Sequence, residues 1–146
     1  MNNTIIGIAK GLKEMKSIIA ELEEIIIPDG VISVGYYAFE NCSALTKITI
    51  PDSVIVISYG AFYKCTSLKE IAIPDSVIFI DDDAFHGCSS LKKISIPDSV
   101  TVIGARAFSG CSSLTEITIP DSVTSISSSA FSGCSSLKSI YIDREK

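Results

Sequence analysis

The sequence predicts a right-handed repeat solenoid with short parallel strands, because one 23-residue unit recurs five times and carries two kinds of hydrophobic spacing. The tripeptide Ile-Pro-Asp recurs every 23 residues from Ile27 to Ile119. Five units fill residues 27–141 without an insertion, and nine of the 23 columns hold the same residue in all five. A single unit cannot bury its apolar stripe alone, but stacked units can bury it against their own copies.

The first half of each unit is a strand followed by a turn. Leu68-x-x-Ile71-x-Ile73 ends in the alternation that is typical of a strand with one buried face. Pro74 lacks a backbone N–H and ends the strand, and Asp75 favours a turn. We expect the equivalent strands to form one parallel sheet down one face, about 4.8 Å apart.

The second half of the unit returns to the core. Val77 and Ile80 are spaced to point inward, which favours a second short extended segment. Ala84, Phe85 and Cys88 follow at helical or 3₁₀ spacing. We therefore expect short helical turns there, with the phenylalanine filling the centre of the coil.

Residues 1–26 differ from the repeat and are expected to form an amphipathic helix cap and the first strand. Apolar residues recur every three or four positions over residues 4–22, which predicts the helix. Its apolar face consists of Ile8, Leu12, Met15, Ile19 and Leu22. Such a helix would close the open end of the core, as solenoids require for solubility. A membrane-surface helix is the alternative, although the polar face mixes both charge signs.

The other end of the chain, residues 142–146, contains the end of the last strand and a charged tail. No helical pattern follows the last unit, so we expect Ile126, Phe131 and Leu137 to be partly exposed. A homodimer through this uncapped end, or a longer parent chain, would cover these side chains.

The repeated pattern LxxIxIPxxVxxIxxxAFxxCxx resembles the BspA-type leucine-rich repeat over about four fifths of the chain. Ser or Gly stands where better-known leucine-rich repeats carry a ladder Asn, and Ile replaces Leu at several positions. The resemblance implies a leucine-rich-repeat β/α superhelix. It also implies a protein-interaction scaffold rather than an enzyme, often with an adhesive role in a cell-surface or secreted parent.

Aromatic side chains in the variable columns are the candidate partner contacts. They concentrate in the first three units, and tyrosine is enriched in binding surfaces. The candidate residues are Tyr36, Tyr37, Tyr59, Tyr63 and His86. Scattered surface side chains without a partner are the alternative interpretation.

One outward column of the strand face alternates in charge. It contains Glu24, Lys47, Glu70, Lys93 and Glu116. Opposite charges on neighbouring strands contribute roughly 0.2–1 kcal/mol per pair. We interpret this column as a structural charge ladder, with a partner-binding face as the alternative.

Two further columns, of cysteine and of aspartate, are also interpreted as structural. The cysteines are Cys42, Cys65, Cys88, Cys111 and Cys134, all at one inward position. A buried free thiol behaves as a small hydrophobe, and disulfides between units or a metal site are the alternatives. The aspartates of Ile-Pro-Asp are turn residues, with Ca²⁺ binding as the alternative.

Composition narrows the function further. The net charge of −5 disfavours nucleic acid as a partner, and no apolar run approaches the roughly 20 residues that span a bilayer. We find no signal peptide, phosphate loop or catalytic set, so we expect no enzyme, no cofactor and no membrane insertion. The leading hypothesis is a non-catalytic module that binds a protein of unknown identity. The alternative is a structural or self-assembling scaffold, such as a stalk, a spacer or an engineered consensus-like solenoid.

Overall fold

Helix α1 spans Lys13–Ala20 and precedes the first coil. The computed structural model describes residues 13–143, with side chains from residue 17 onward. Ile19 is buried and Leu22 packs against the core, so the described part of the predicted helix covers the end of the core. The other three residues of its predicted apolar face lie outside the described side chains.

The repeat contributes two short strands per unit, one to each of two faces of the solenoid. In chain order the strands are β1 (Glu24–Ile26), β2 (Ser33–Val34), β3 (Lys47–Thr49), β4 (Val56–Ile57), β5 (Glu70–Ala72), β6 (Phe79–Ile80), β7 (Lys93–Ser95), β8 (Val102–Ile103), β9 (Glu116–Ile119), β10 (Ser125–Ile126) and β11 (Ser139–Ile142). The odd-numbered strands form the first face, where β1 pairs with β3, β5 with β7 and β9 with β11. The even-numbered strands form a continuous five-stranded sheet on the second face. The predicted parallel solenoid is confirmed. The single sheet expected on the first face is instead three separate strand pairs, and the continuous sheet is formed by the second extended segment on the other face.

Strand pairing places equivalent residues of successive coils side by side. Ile71 pairs with Ile94 on the first face, and Ile57 pairs with Ile80 on the second. All four side chains are buried. Because a slip of one residue would turn these isoleucines outward, burial on both faces fixes the register at 23 residues.

The segment that closes each coil is a series of turns. The Tyr63 N–H donates to the Gly60 carbonyl three residues earlier, as in a 3₁₀ turn, but the Lys64 N–H donates to His86 in the following coil. Gly60 and Lys64 are both left-handed, each with φ 59°. The expected short turns are therefore present, and because left-handed residues redirect the chain between them, they do not extend into a helix.

A column of phenylalanine rings fills the centre of the solenoid. Phe62, Phe85 and Phe108 are fully buried, and their rings lie nearly parallel with centroids 5.3 and 5.4 Å apart. Ala84, beside Phe85, is also fully buried and leaves room for the tight turn. Each core side chain therefore packs against its own copies, as the repeat predicts.

The inward side chains of the last coil are partly exposed, because no further coil packs on them within the described chain. Ile126 and Ile140 are 45% and 49% exposed, and Phe131 and Leu137 are half-buried. Ile117 pairs with Ile140 from the preceding coil and is only 1% exposed. The exposure predicted for Ile126, Phe131 and Leu137 is therefore observed.

Candidate interaction surfaces

The structure brings the five candidate aromatic residues into two sets of ring contacts. Tyr36 meets Tyr59 edge to face, with centroids 5.2 Å apart. Tyr63 stacks on His86 at 4.8 Å and meets Tyr37 edge to face at 6.1 Å. Tyr36, Tyr37 and Tyr59 remain exposed, whereas Tyr63 and His86 are half-buried. We call these five residues the tyrosine surface.

Gly60 makes room for one of these contacts. The Tyr37 ring lies directly over Gly60, where a Cβ atom would collide with its Cδ1 and Cε1 atoms. The other units carry a side chain in this column, for example Asp83 and Arg106. The glycine therefore lets Tyr37 lie across the next coil and reach Tyr63.

An ion pair between Asp83 and Arg106 lies at the border of the tyrosine surface. Arg106 donates from Nε and Nη2 to the two carboxylate oxygens of Asp83, at 3.0 and 3.1 Å. These hydrogen bonds and the charge of Asp83 raise the pKa of Arg106. His86 Nδ1 lies 3.5 Å from Asp83 Oδ1 and is buried without a hydrogen bond in the described chain. Sequence reasoning left out Asp83 and Arg106, although opposite charges 23 residues apart in one column were an available signal.

The charge ladder of the first face closes at only one step in the described chain. Lys47 Nζ lies 3.8 Å from a carboxylate oxygen of Glu24. Glu70, Lys93 and Glu116 form no ion pair with any described residue, although Glu70 and Lys93 are register partners. An exposed pair gains only about 0–1 kcal/mol and must order two long side chains. The structural interpretation of this column therefore stays a prediction, with one pair in support of it.

The first face also holds a wide, open cleft of about 850 Å³ across β3, β5, β7 and β9. Its outward small residues include Thr49, Ala72 and Ser95. Lysine and glutamate alternate beside them, so the cleft concentrates neither sign of charge. Within residues 13–143, no group of three or more side chains is arranged to hold a metal ion.

The cysteines form a ladder of free thiols, four of them buried and Cys134 partly covered. From Cys65 onward each Sγ donates to the carbonyl of the phenylalanine 26 residues earlier, at 3.1–3.3 Å. Burial raises the pKa of Cys88 to about 12 and also raises the pKa of Cys111 and Cys134. Because the thiolate is the reactive and metal-binding form, this ladder suits packing better than nucleophilic or metal chemistry.

The sequence matches the family profile of the BspA-type leucine-rich repeat region in six copies over residues 17–138. The chain belongs to the BspA-type leucine-rich-repeat family. Membership supports a protein-interaction or repeat-scaffold role, in a family that is generally non-catalytic. No curated protein matches the chain significantly.

Solved leucine-rich-repeat structures show the same fold. A leucine-rich-repeat protein of T. pallidum matches with a TM-score of 0.80 and 39% identity, over 82% of this chain and 58% of that one. A leucine-rich cell surface protein of Faecalibacterium prausnitzii matches with a TM-score of 0.82 and 40% identity, over 86% of this chain and 33% of that one. A leucine-rich-repeat protein of Bacteroides ovatus matches with a TM-score of 0.75 and 40% identity, over 81% of this chain and 33% of that one. The chain thus spans between a third and about three fifths of these proteins. Among the described residues, no helix has the length and apolar character needed to cross a membrane.

Proposed function

We propose that the chain is a non-catalytic, adhesin-like module that binds a partner protein through the tyrosine surface. The observation that carries the proposal is that five aromatic side chains pack against one another across adjacent coils and still present exposed rings. Tyrosine gives a large amphipathic contact at low entropy cost, and rings already held by neighbours lose little further freedom on binding.

The similarity to a cell surface protein supports placing this module on the outside of a cell. An extracellular partner, such as a matrix protein or a surface protein of another cell, fits an exposed aromatic surface with an ion pair at its border.

The test is binding to a panel of immobilised extracellular-matrix proteins and cell-surface extracts, with the double variant Tyr59→Ser/Tyr63→Ser. Both replacements occur naturally in these columns, as Ser128 and Ser132, so we expect the fold to persist. We expect at least a tenfold loss of affinity, which corresponds to about 1.4 kcal/mol. Unchanged binding by a folded double variant would exclude the tyrosine surface as the contact.

Two further variants sharpen this test. Tyr141→Ser removes an exposed tyrosine from the other end of the solenoid and should leave binding unchanged. Gly60→Ala removes no aromatic ring but displaces Tyr37, so it should weaken binding if the arrangement of the rings matters. Circular dichroism checks that each variant is folded.

A second proposed role is self-association through the last coil. Ile126, Ile140 and Ile142 are exposed there, and all three occupy columns that are buried one coil earlier. A homodimer that covers this end would serve a structural or scaffold role. Sedimentation over a concentration series tests it. Ile140→Lys should abolish the dimer, and a wild-type chain that is strictly monomeric at high concentration would exclude it.

A further inference from the structure

The outward side of the second face carries an apolar patch that the sequence analysis did not single out. We call it the apolar stripe. Its members are Ile32, Ile55, Ile78, Val56, Phe79 and Val102. Ile78 and Phe79 are 38% and 40% exposed, whereas the equivalent residues of the last coil are Thr124 and Ser125. The stripe is therefore confined to the first four coils.

Strand pairing makes the stripe continuous. Val56 pairs with Phe79, and Phe79 pairs with Val102. The Ile55 N–H donates to Ile32 at 2.7 Å, and the Ile78 N–H donates to Ile55 at 2.7 Å. Because parallel strands lie about 4.8 Å apart, the stripe runs about 15 Å along the solenoid axis. A contiguous exposed apolar patch on a soluble protein commonly marks an interaction site.

The backbone beneath the stripe limits what can bind there. Its N–H and C=O groups are used in hydrogen bonds between coils, so a partner cannot add to this face as a strand. The partner must bring a segment whose own backbone is already hydrogen-bonded, as an α-helix does. One helical turn rises about 5.4 Å, close to the spacing of the coils, so successive turns can meet successive rows of the stripe.

Carboxylates border the stripe on both sides. The Ile-Pro-Asp turns place a column of exposed aspartates three residues before the isoleucine column, a distance of at most about 10 Å. None of these aspartates has an ion-pair partner among the described residues. On the other side, Asp81 and Asp82 follow β6 directly, whereas the next residue, Asp83, is already paired with Arg106. This acidic border opposes contact with a second copy of a chain that carries a net charge of −5, and it favours a basic partner.

We propose that the apolar stripe binds a cationic amphipathic helix, with aliphatic side chains on the stripe and lysine or arginine facing the aspartate column. This second interaction surface goes beyond the proposed function, because no residue of the tyrosine surface belongs to the stripe. Variants at Tyr59 and Tyr63 and variants at Ile78 and Phe79 therefore test the two surfaces separately.

A fluorescence-anisotropy titration tests the proposal with a labelled helical peptide of about 14 residues, roughly four turns, that carries leucine on one face and lysine on the other. A matched peptide carries glutamate in place of lysine. We expect the lysine peptide to bind at least tenfold more tightly than the glutamate peptide, with an affinity that falls as salt rises. Equal binding of the two peptides would overturn the proposal.

Variants of the chain locate the site. Ile78→Thr/Phe79→Ser copies residues that other units carry in these columns, so the strand should persist, and we expect at least a tenfold loss of peptide affinity. Peptide binding that persists in this folded variant would refute the assignment. Self-association of the wild type that the variant abolishes would instead identify a second copy as the occupant and would also refute it.

Matched charge variants separate the site from general attraction to an acidic protein. Asp52→Asn/Asp75→Asn should weaken binding about threefold and flatten its salt dependence. Glu70→Gln/Glu116→Gln removes the same charge from the first face and should have no effect. Equal effects of both pairs would overturn the proposal. Tyr59→Ser/Tyr63→Ser should bind the peptide as the wild type does, so failure of the proposed function can be distinguished.

Discussion

Truncation of the phenylalanine stack should cost different amounts at different coils, although the local sequence is nearly the same. Phe85 is fully buried between Phe62 and Phe108, at 5.3 and 5.4 Å. Phe131 is half-buried and has one ring neighbour, Phe108, at 5.7 Å. We expect Phe85→Ala to lower the free energy of unfolding by about 3–5 kcal/mol, through lost transfer energy and the remaining cavity.

Phe131→Ala should cost about half as much, because its ring is already partly hydrated and makes one aromatic contact, worth about 0.5–1.5 kcal/mol, rather than two. The measurement is urea unfolding followed by circular dichroism, with midpoint and m value compared between the two variants. Phe85→Leu is the milder version if the alanine variant does not fold. An equal loss at both positions would refute the argument that burial depends on the number of neighbouring coils.

Three further outcomes follow from the thiols and the exposed charges. Cys134, which is only partly buried, should react with a thiol reagent at pH 8 well before Cys88, while the denatured chain should titrate five free thiols. Burial raises the pKa of Cys88 from 9.0 to about 12, so the neutral thiol is favoured in the folded state. The stabilising contribution of Cys88 is complete below pH 9 and should fall by about 1.4 kcal/mol per pH unit above it. In urea titrations, the free energy of unfolding of Cys88→Ala should therefore fall less with rising pH than that of the wild type. Lys47→Ala should change the free energy of unfolding by less than about 1 kcal/mol, and a larger change would show that the exposed pair with Glu24 is structural.

The repeat alone determined most of the fold. Nine invariant columns at a 23-residue period determine which residues face the core, since each column can be buried only against its own copy. The inward isoleucines, the phenylalanine stack and the cysteine column follow from this pattern. The exposed residues of the last coil follow too, because a column without a following copy remains uncovered.

The backbone conformation of the turns could not be predicted from the repeat pattern. The spacing of Ala84, Phe85 and Cys88 suits a helix as well as a chain of turns, and left-handed residues decide for the turns. In the column of Gly60, the other four units hold ordinary residues such as Asp83 and Arg106, with φ of 58° and 57°. In the column of Lys64, three units hold glycine and two do not. Residue type therefore did not identify all of the left-handed positions. The second sheet could not be predicted from one unit either, because its strands are joined by hydrogen bonds between coils, which form only when the coils are stacked.

The sequence by itself determined the repeat, the core columns and the candidate aromatic residues, because the period at which side chains are buried equals the period at which apolar residues recur along the chain. Only the tertiary structure decided which outward residues meet. It grouped Tyr63 with His86 and Asp83 with Arg106, and it left Lys93 without an ion pair to any residue that the structure describes. The physical reason is that a core column is set by the strong free energy of burial. A surface contact instead depends on side-chain reach and on one missing Cβ at Gly60, which no periodicity records.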